Sequence, residues 1–216
     1  MDNESSSPGA LPKAAGKERL PLPRDTITNL GKRELLDLYY KSVGRGASFL
    51  LNIPPDRRGL VHENDEASLR GFRRLVDATF GVDLARGARA TASNVRGADA
   101  RFGAGNVLDG KRDTYWATDD AETTPSLVLD LGRPVTFNVA SLREHLPLGQ
   151  RVEDWALDAW RDGSWREFAR GTAIGSRRLW RGDDVTTDRV RLRVTKSPVC
   201  PAIAEVSLHL EPAEAR

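Results

Sequence analysis

Hydrophobic and polar positions alternate with a period of two from about residue 89 onward, which predicts β-strands. Four candidate strands stand out between turns rich in Gly and Asp: 127–131, 135–142, 190–195 and 203–210. Many short strands separated by such turns are typical of an antiparallel β-sandwich. The pattern therefore predicts a sandwich domain over residues 87–212.

A β-hairpin gives the clearest local signal in this part of the chain. The dipeptide Asp162-Gly163 lies between two runs of alternating apolar residues. Asp-Gly in a two-residue loop supplies the left-handed backbone conformations that a type I′ turn needs. The register set by this turn pairs Trp160 with Trp165 and Leu157 with Phe168, on opposite faces of the hairpin.

Two stretches before the sandwich have a helical period instead. The apolar stripe of the first predicted helix, which two glycines follow, consists of Leu35, Leu36, Tyr39 and Val43. The stripe of the second consists of Leu69, Phe72, Val76 and Phe80. We expect Asn64 to be the N-cap of the second helix, because its side-chain oxygen can accept a hydrogen bond from a free backbone N–H.

A short apolar run, residues 48–53, lies between the two helices and predicts a strand buried on both faces. Helix, parallel-type strand and helix form the repeating unit of an α/β barrel. We therefore interpret residues 27–86 as an α-β-α remnant of a barrel. Residues 1–26 are rich in Ser, Pro, Gly and Lys, which predicts a disordered tail.

Composition narrows the possible partners. The formal net charge of +2, from 33 basic and 31 acidic residues, does not predict a nucleic acid or a membrane as partner. Arginines alternate at 189, 191 and 193, and we expect them to face water along one strand. The start of the chain lacks the apolar stretch of a secretory signal, so the chain as written is expected in the cytoplasm. The single cysteine, Cys200, is expected to fill a small apolar space.

Two sets of motifs resemble known families. ELLDLYYKSVG at 34–44 and LLNIPPDRRGL at 50–60 resemble the end of the catalytic barrel in α-L-fucosidases of glycoside hydrolase family 29, whose full-length members are often exported. ATAS at 90–93, NVLDG at 106–110 and DTYWAT at 113–118 resemble the opening of a discoidin, or coagulation-factor type C, sandwich of jelly-roll type. The resemblance covers about residues 26–211 and implies a C-terminal part of a fucosidase-like protein of carbohydrate metabolism.

The resemblance implies retaining glycosidase chemistry, which needs two carboxyl groups about 5–5.5 Å apart. In a barrel such groups come from the ends of several strands, and a complete barrel takes about 250 residues. Fewer than a hundred residues precede the sandwich, and no position matches the family's nucleophile or acid/base. We therefore predict no catalytic residue, no cofactor requirement and no glycosidase activity for the chain alone. Asn52 and Ile53 would be remnants of a pocket floor.

For the sandwich, the resemblance implies a carbohydrate ligand, first of all a fucosylated glycan, and a structural calcium ion. The candidate calcium ligands are Asp109, Thr114 and Glu205, since calcium takes six to eight oxygen ligands. Tyr115 and Trp180 are the candidate sugar-binding aromatic residues, whereas Trp116 is expected in the core. The alternative is a non-catalytic carbohydrate-binding or purely structural module. In either case, the apolar run 48–53 would need the helices or a partner chain to cover it.

Overall fold

The computed structural model describes residues 30–216, so the predicted tail lies outside the described residues. Two α-helices precede an all-antiparallel sheet of seven strands. The elements are α1 (Lys32–Lys41), α2 (Glu63–Phe80), β1 (Arg89–Ala92), β2 (Trp116–Ala117), β3 (Ser126–Glu144), β4 (Asp154–Arg161), β5 (Ser164–Thr172), β6 (Arg178–Lys196) and β7 (Ala202–His209). The strand order is β2-β7-β3-β6-β4-β5, with β1 paired to β3.

Two long bent strands, β3 and β6, build both layers of the sandwich. Their register is interrupted between Asp130 and Val135 and again between Phe137 and Val139, so each strand can turn from one layer into the other. The predicted strands 127–131 and 135–142 are therefore the two halves of β3. The largest fully buried apolar side chains of the sandwich are Trp116, Leu127, Leu129, Phe137, Leu142, Leu157, Leu192, Ile203 and Leu208. The predicted β-sandwich is confirmed.

The predicted hairpin joins β4 and β5. Asp162 and Gly163 have φ values of 49° and 72°, the pair of left-handed conformations that a type I′ turn requires. Trp160 pairs with Trp165 as predicted, with ring centroids 5.1 Å apart and the rings edge to face. The turn and the register beside it are thus set by local sequence.

A β-bulge changes the hairpin register further from the turn. Asp158 pairs with Glu167, but Leu157 pairs with Ala169. Phe168 is the extra residue between those partners, so the predicted pairing of Leu157 with Phe168 is wrong. One inserted residue shifts every later pair in a strand, and the alternating pattern of apolar residues does not reveal it.

The two helices pack on the outside of the sheet. A separate apolar cluster is formed there by Leu36, Tyr40, Leu75, Val139 and Ala215. Both helices were predicted. In α1, Leu35 and Leu36 are buried as expected, with Tyr40 buried in place of Tyr39. In α2 the most buried apolar residue is Leu75, one position before the predicted Val76. The cap prediction is wrong, because the Nδ1 atom of His62 accepts a hydrogen bond from the Asn64 N–H at 3.2 Å.

The predicted strand at 48–53 is absent, since this run has no sheet partner and no regular structure among the described residues. A strand needs neighbours for its backbone N–H and C=O groups, and none of the described strands pairs with this run. Phe49 packs against Phe72 with ring centroids 6.0 Å apart, whereas Leu50 is 94% exposed. The helices therefore cover this run only in part.

The alternating arginines of β6 do more than face water. Arg191 Nε and Arg193 Nε both donate to Asp158 Oδ2, at 2.8 and 2.7 Å, and the Asp158 side chain is 2% exposed. Arg189 lies over the ring of Trp160, 4.6 Å from its centroid. The expectation that these arginines simply face water is wrong, because a buried carboxylate needs paired charges.

Candidate functional site

A cavity of about 410 Å³ opens where several loops meet at one end of the sandwich; we call it the loop-end cavity. The loops that follow β1, β2 and β3 and the one that precedes β7 form its wall. Its chemically distinctive lining residues are Arg96, Phe102, Tyr115, Asp120, Arg151 and Cys200. A cavity of this size with a few convergent polar groups is the usual form of a small-ligand site.

One wall of the loop-end cavity is aromatic. The Tyr115 ring stacks on the His145 ring, with centroids 4.1 Å apart and planes inclined by 17°. Phe102 also packs against Tyr115, with tilted rings whose centroids are 5.6 Å apart, and the Tyr115 carbonyl accepts a hydrogen bond from Asn106 Nδ2 at 2.9 Å. Tyr115, predicted from the sequence as a sugar-binding residue, thus lines a cavity and is fixed by its neighbours.

The opposite side of the cavity is charged. Arg96 Nη1 donates to Asp120 Oδ1 at 2.7 Å, and this hydrogen bond lowers the pKa of Asp120 below its usual range. Arg151 Nη1 donates to the Cys200 carbonyl oxygen at 2.9 Å, with Cys200 Sγ 3.3 Å away. Cys200 is buried, as expected of an apolar filler, but it has charged neighbours that the sequence did not predict. These groups offer hydrogen bonds to a polar ligand.

The second predicted aromatic residue, Trp180, lies elsewhere. Its ring packs against Phe168 with centroids 4.9 Å apart, at the edge of the sandwich core. The indole also covers Gly182 so closely that a Cβ added there would lie 2.3 Å from Trp180 Cζ2. The structure does not bring Trp180 to Tyr115. Trp116 is fully buried, as expected, and its Nε1 donates to the Asn94 carbonyl at 2.9 Å.

The three candidate calcium ligands are only partly brought together. Thr114 Oγ1 donates to Asp109 Oδ2 at 2.8 Å, and Asp109 Oδ1 accepts the N–H of Lys111 at 2.8 Å. Glu205 pairs with Arg143 at 3.3 Å, although it lines a cavity of about 290 Å³ together with Asp109. Within residues 30–216 no three His, Cys, Asp or Glu side chains form a group that could hold a metal ion. Calcium binding here stays a prediction, and most of its ligands would have to be backbone carbonyls.

The predicted pocket remnants do not join the loop-end cavity. Asn52 is exposed, and Ile53 lines a narrow apolar cleft beside α2. Nearby, Arg58 donates to Asp56 Oδ2 at 2.8 Å and to Glu63 Oε1 at 2.7 Å, which lowers the pKa of both carboxyl groups. These carboxylates therefore belong to a turn and a helix start.

Sequence reasoning missed the cavity residues on the other loops, notably Arg96, Asp120 and Arg151. Arg96 and Asp120 are 24 positions apart, and Arg151 and Cys200 are 49 positions apart. No short motif links residues at such separations. Only the folded loops show that they share a cavity with Tyr115.

Comparison with known proteins identifies the sandwich. Residues 89–206, more than half of the chain, match the F5/8 type C domain family. The chain belongs to this family. The family sandwich accounts for strands β1 to β6 and most of β7. None of the helices within residues 30–216 is long and apolar enough to cross a membrane.

The chain is also similar to fucosidases over most of its length. It is 37% identical over 182 residues to alpha-L-fucosidase 1 of Arabidopsis thaliana, which covers 82% of this chain and 36% of that protein. Putative alpha-L-fucosidase 1 of Oryza sativa subsp. japonica is 34% identical over 172 residues, covering 79% of this chain and 33% of that protein. The chain therefore spans about a third of the length of these curated relatives.

A solved structure extends this similarity to the fold. A Ruminococcus gnavus GH29 fucosidase in complex with fucose matches with a TM-score of 0.81 and 31% identity, covering 87% of this chain and 38% of that chain. Such coverage is more than the sandwich alone can supply, so residues before β1 take part in the match. The resemblance to family 29 fucosidases and to a discoidin-like sandwich is confirmed.

Proposed function

We propose that this chain is a fucosidase-related protein of carbohydrate metabolism whose sandwich binds a carbohydrate in the loop-end cavity. The observation that carries the proposal is the fixed Tyr115–His145 stack beside the charged groups Arg96, Asp120 and Arg151. The similarity to fucosidases over most of the chain supports a fucosylated glycan as the first ligand to test.

The cavity has the two kinds of surface that a sugar needs. An aromatic ring packs against the apolar C–H face of a sugar, and the stacked ring of Tyr115 is held ready for this by His145. Arginine and carboxylate groups make charge-assisted hydrogen bonds, and hydroxyl groups can serve as their partners. Arg96 and Asp120 already bond to each other, so a ligand would share their remaining donors and acceptors.

We further propose that the chain does not hydrolyse glycosides by itself. A general acid in a retaining glycosidase needs a raised pKa and a second carboxyl group nearby. Beside the loop-end cavity, Arg96 lowers the pKa of Asp120, and hydrogen bonds from Asn94 and Gly97 lower the pKa of Asp119. Both groups are therefore stabilised as anions. Two carboxyl groups held as anions support the proposal of a binding cavity that does not catalyse hydrolysis.

The first experiment combines an assay and a titration on the full chain. An aryl α-L-fucoside should release no more aryl alcohol than a no-protein control, whereas fucosylated oligosaccharides should bind in a calorimetric titration. Tyr115→Ala should weaken that binding roughly 2- to 10-fold, the contribution of one aromatic contact. Trp165→Ala, an aromatic change on the distant hairpin, should leave the affinity unchanged.

The outcomes separate the candidate functions. Fucoside release above the control would contradict the proposed lack of hydrolysis. Absence of binding to any glycan would favour a purely structural module, the remaining alternative. Equal losses in both variants would mean that Tyr115 acts through stability and not through contact with the sugar.

Calcium binding is a separate proposal, supported by the neighbouring side-chain oxygen atoms of Asp109 and Thr114, which could coordinate the ion. Added Ca²⁺ should raise the melting temperature relative to a chelator, because an ion that binds only the folded state stabilises it. Asp109→Asn should abolish the increase. A melting temperature that is the same with calcium and with the chelator would contradict the proposal.

A further inference from the structure

A second cavity, of about 470 Å³, lies between the segment after α1 and the sandwich; we call it the cationic cavity. Lys111, Arg112, Arg143 and Arg177 line it. Apolar side chains from both parts, among them Val43 and Leu146, complete the wall. The cavity exists because the helical segment packs against the sandwich, and it shares no lining residue with the loop-end cavity.

Positive charge in the cationic cavity is not balanced by its carboxylates. Glu144 lines the cavity, but its Oε1 accepts two backbone N–H groups and its Oε2 accepts a third, all at 2.7 to 2.8 Å. Glu205 pairs only with Arg143, at 3.3 Å. Four cationic side chains thus face two carboxylates, one of which is fully used by the backbone.

Two guanidinium groups there also have unused donors. The Nε atoms of Arg143 and Arg177 are buried and have no hydrogen-bond partner among the described residues. Burial and the nearby Arg177 lower the pKa of Arg143, which means that its positive charge is poorly compensated. Buried donors without partners are rare in folded proteins and call for an explanation.

We propose that the cationic cavity binds a saccharide that carries a carboxylate or sulfate group. The anion would accept hydrogen bonds from Arg143 and Arg177, whose planar guanidinium groups match the geometry of both oxyanions. Lys111 and Arg112 at the rim would add attraction without fixed geometry.

A saccharide fits this cavity better than a bare ion. Its volume is far larger than one oxyanion needs and falls within the range of small-molecule sites. The apolar wall, including Leu146 and Pro147, gives the uncharged part of a sugar ring a surface to pack on. The proposal does not depend on binding at the loop-end cavity, so each cavity can be tested without the other.

The test is a calorimetric titration of the full chain at low ionic strength. Glucuronic acid and galactose 6-sulfate should bind about tenfold or more tighter than uncharged glucose and galactose, the effect of a charge-assisted hydrogen bond. The double variant Arg143→Gln with Arg177→Gln should lose about the same factor. Added salt should weaken binding, because it screens the charges at the rim. Binding by only one of the two acidic sugars would identify the anion.

Two further variants distinguish a direct loss of ligand contacts from a loss of folding. Arg166→Gln removes an exposed arginine on the hairpin and should leave binding unchanged. Lys111→Gln with Arg112→Gln changes only exposed side chains, so it should fold and still weaken binding severalfold. If the double variant of Arg143 and Arg177 fails to fold, the affinity of the Lys111 and Arg112 variant decides whether the proposal stands.

Four results would overturn the proposal. The first is equal affinity for acidic and uncharged sugars. The second is no detectable binding of either acidic sugar at roughly 10 mM, a concentration well above a Kd of about 1 mM. Inorganic sulfate could bind as tightly as galactose 6-sulfate, which would mean that the sugar contributes nothing. Equal affinity loss in the Arg166→Gln control would show that net charge, and not the cavity, attracts the ligand.

Discussion

The sandwich and the helical segment before it satisfy their backbone hydrogen bonds and bury their apolar side chains in different ways. Strands of the sandwich find all their partners within residues 89–209, and their apolar side chains fill a core of their own. The helical segment satisfies its backbone within the helices and buries its apolar faces between the two helices and against the sheet, around Val139. The run 48–53 has no strand partner, and the helices cover it only in part, through the contact of Phe49 with Phe72.

This difference shows which kinds of secondary structure a local sequence pattern can predict by itself. A helix closes its hydrogen bonds with residues four positions away, so α1 and α2 form wherever their sequence occurs with a surface to cover. A strand depends on neighbours far along the chain or outside it. The same apolar pattern that gives a strand inside the sandwich therefore gives an irregular segment at 48–53.

Removing Arg181, a residue of β6 that contacts α1 through the Tyr40 ring, should have the largest effect on stability. Arg181 pairs with Glu211 at 2.7 Å, donates to the Ala215 carbonyl and lies 4.8 Å from the centroid of the Tyr40 ring. Because the Glu211 side chain is 2% exposed, Arg181→Ala leaves a buried charge unpaired and should cost about 3–5 kcal/mol. Urea unfolding followed by tryptophan fluorescence measures the loss. A loss as small as that of Arg166→Ala would contradict the prediction.

Large-to-small substitutions in the two apolar clusters should show whether the helical segment and the sandwich unfold separately. Leu75→Ala, between the helices and the sheet, and Leu157→Ala, in the sandwich, should each cost about 2–5 kcal/mol. We expect Leu157→Ala to lower the stability of the whole chain. Leu75→Ala should first release the helices, so a protease should cut within 42–62 while the sandwich remains intact. Simultaneous digestion of both regions would show that they unfold as one unit.

A pH titration should reveal the ion pairs inside the sandwich. Burial alone would raise the pKa of Asp158, but Arg193 and Arg191 outweigh it and lower the pKa. A lowered pKa in the folded state stabilises the protein above the unfolded value of about 3.9, and that contribution is lost as pH falls through the folded value. The stability difference between the wild type and Asp158→Asn should therefore shrink in acid. A difference that stays constant from neutral pH into acid would contradict the assignment.

The smallest effect is expected at the most exposed apolar residue. Leu50 is 94% exposed, so Leu50→Ser should change the free energy of unfolding by no more than about 0.5 kcal/mol. Chemical denaturation measures this change. A clear destabilisation would show that run 48–53 is covered in solution, by a second copy or by another part of the protein.

Local sequence determined the helices, the strands of the sandwich and the hairpin turn. Asp162-Gly163 fixed both the turn type and the pairing of Trp160 with Trp165, because these depend on adjacent residues. Tyr115 was identified by its place in a recognisable motif. Such features are encoded within a few positions of each other.

Tertiary structure alone decided the rest. The bulge at Phe168 is invisible to a pattern of alternating residues, and the absence of a strand at 48–53 depends on neighbours that the pattern does not describe. Both cavities join side chains from distant segments, as Arg96 with Arg151 and Arg143 with Arg177. The physical reason is that backbone conformation follows from local chemistry, whereas burial, charge pairing and cavities depend on which distant residues the fold brings together.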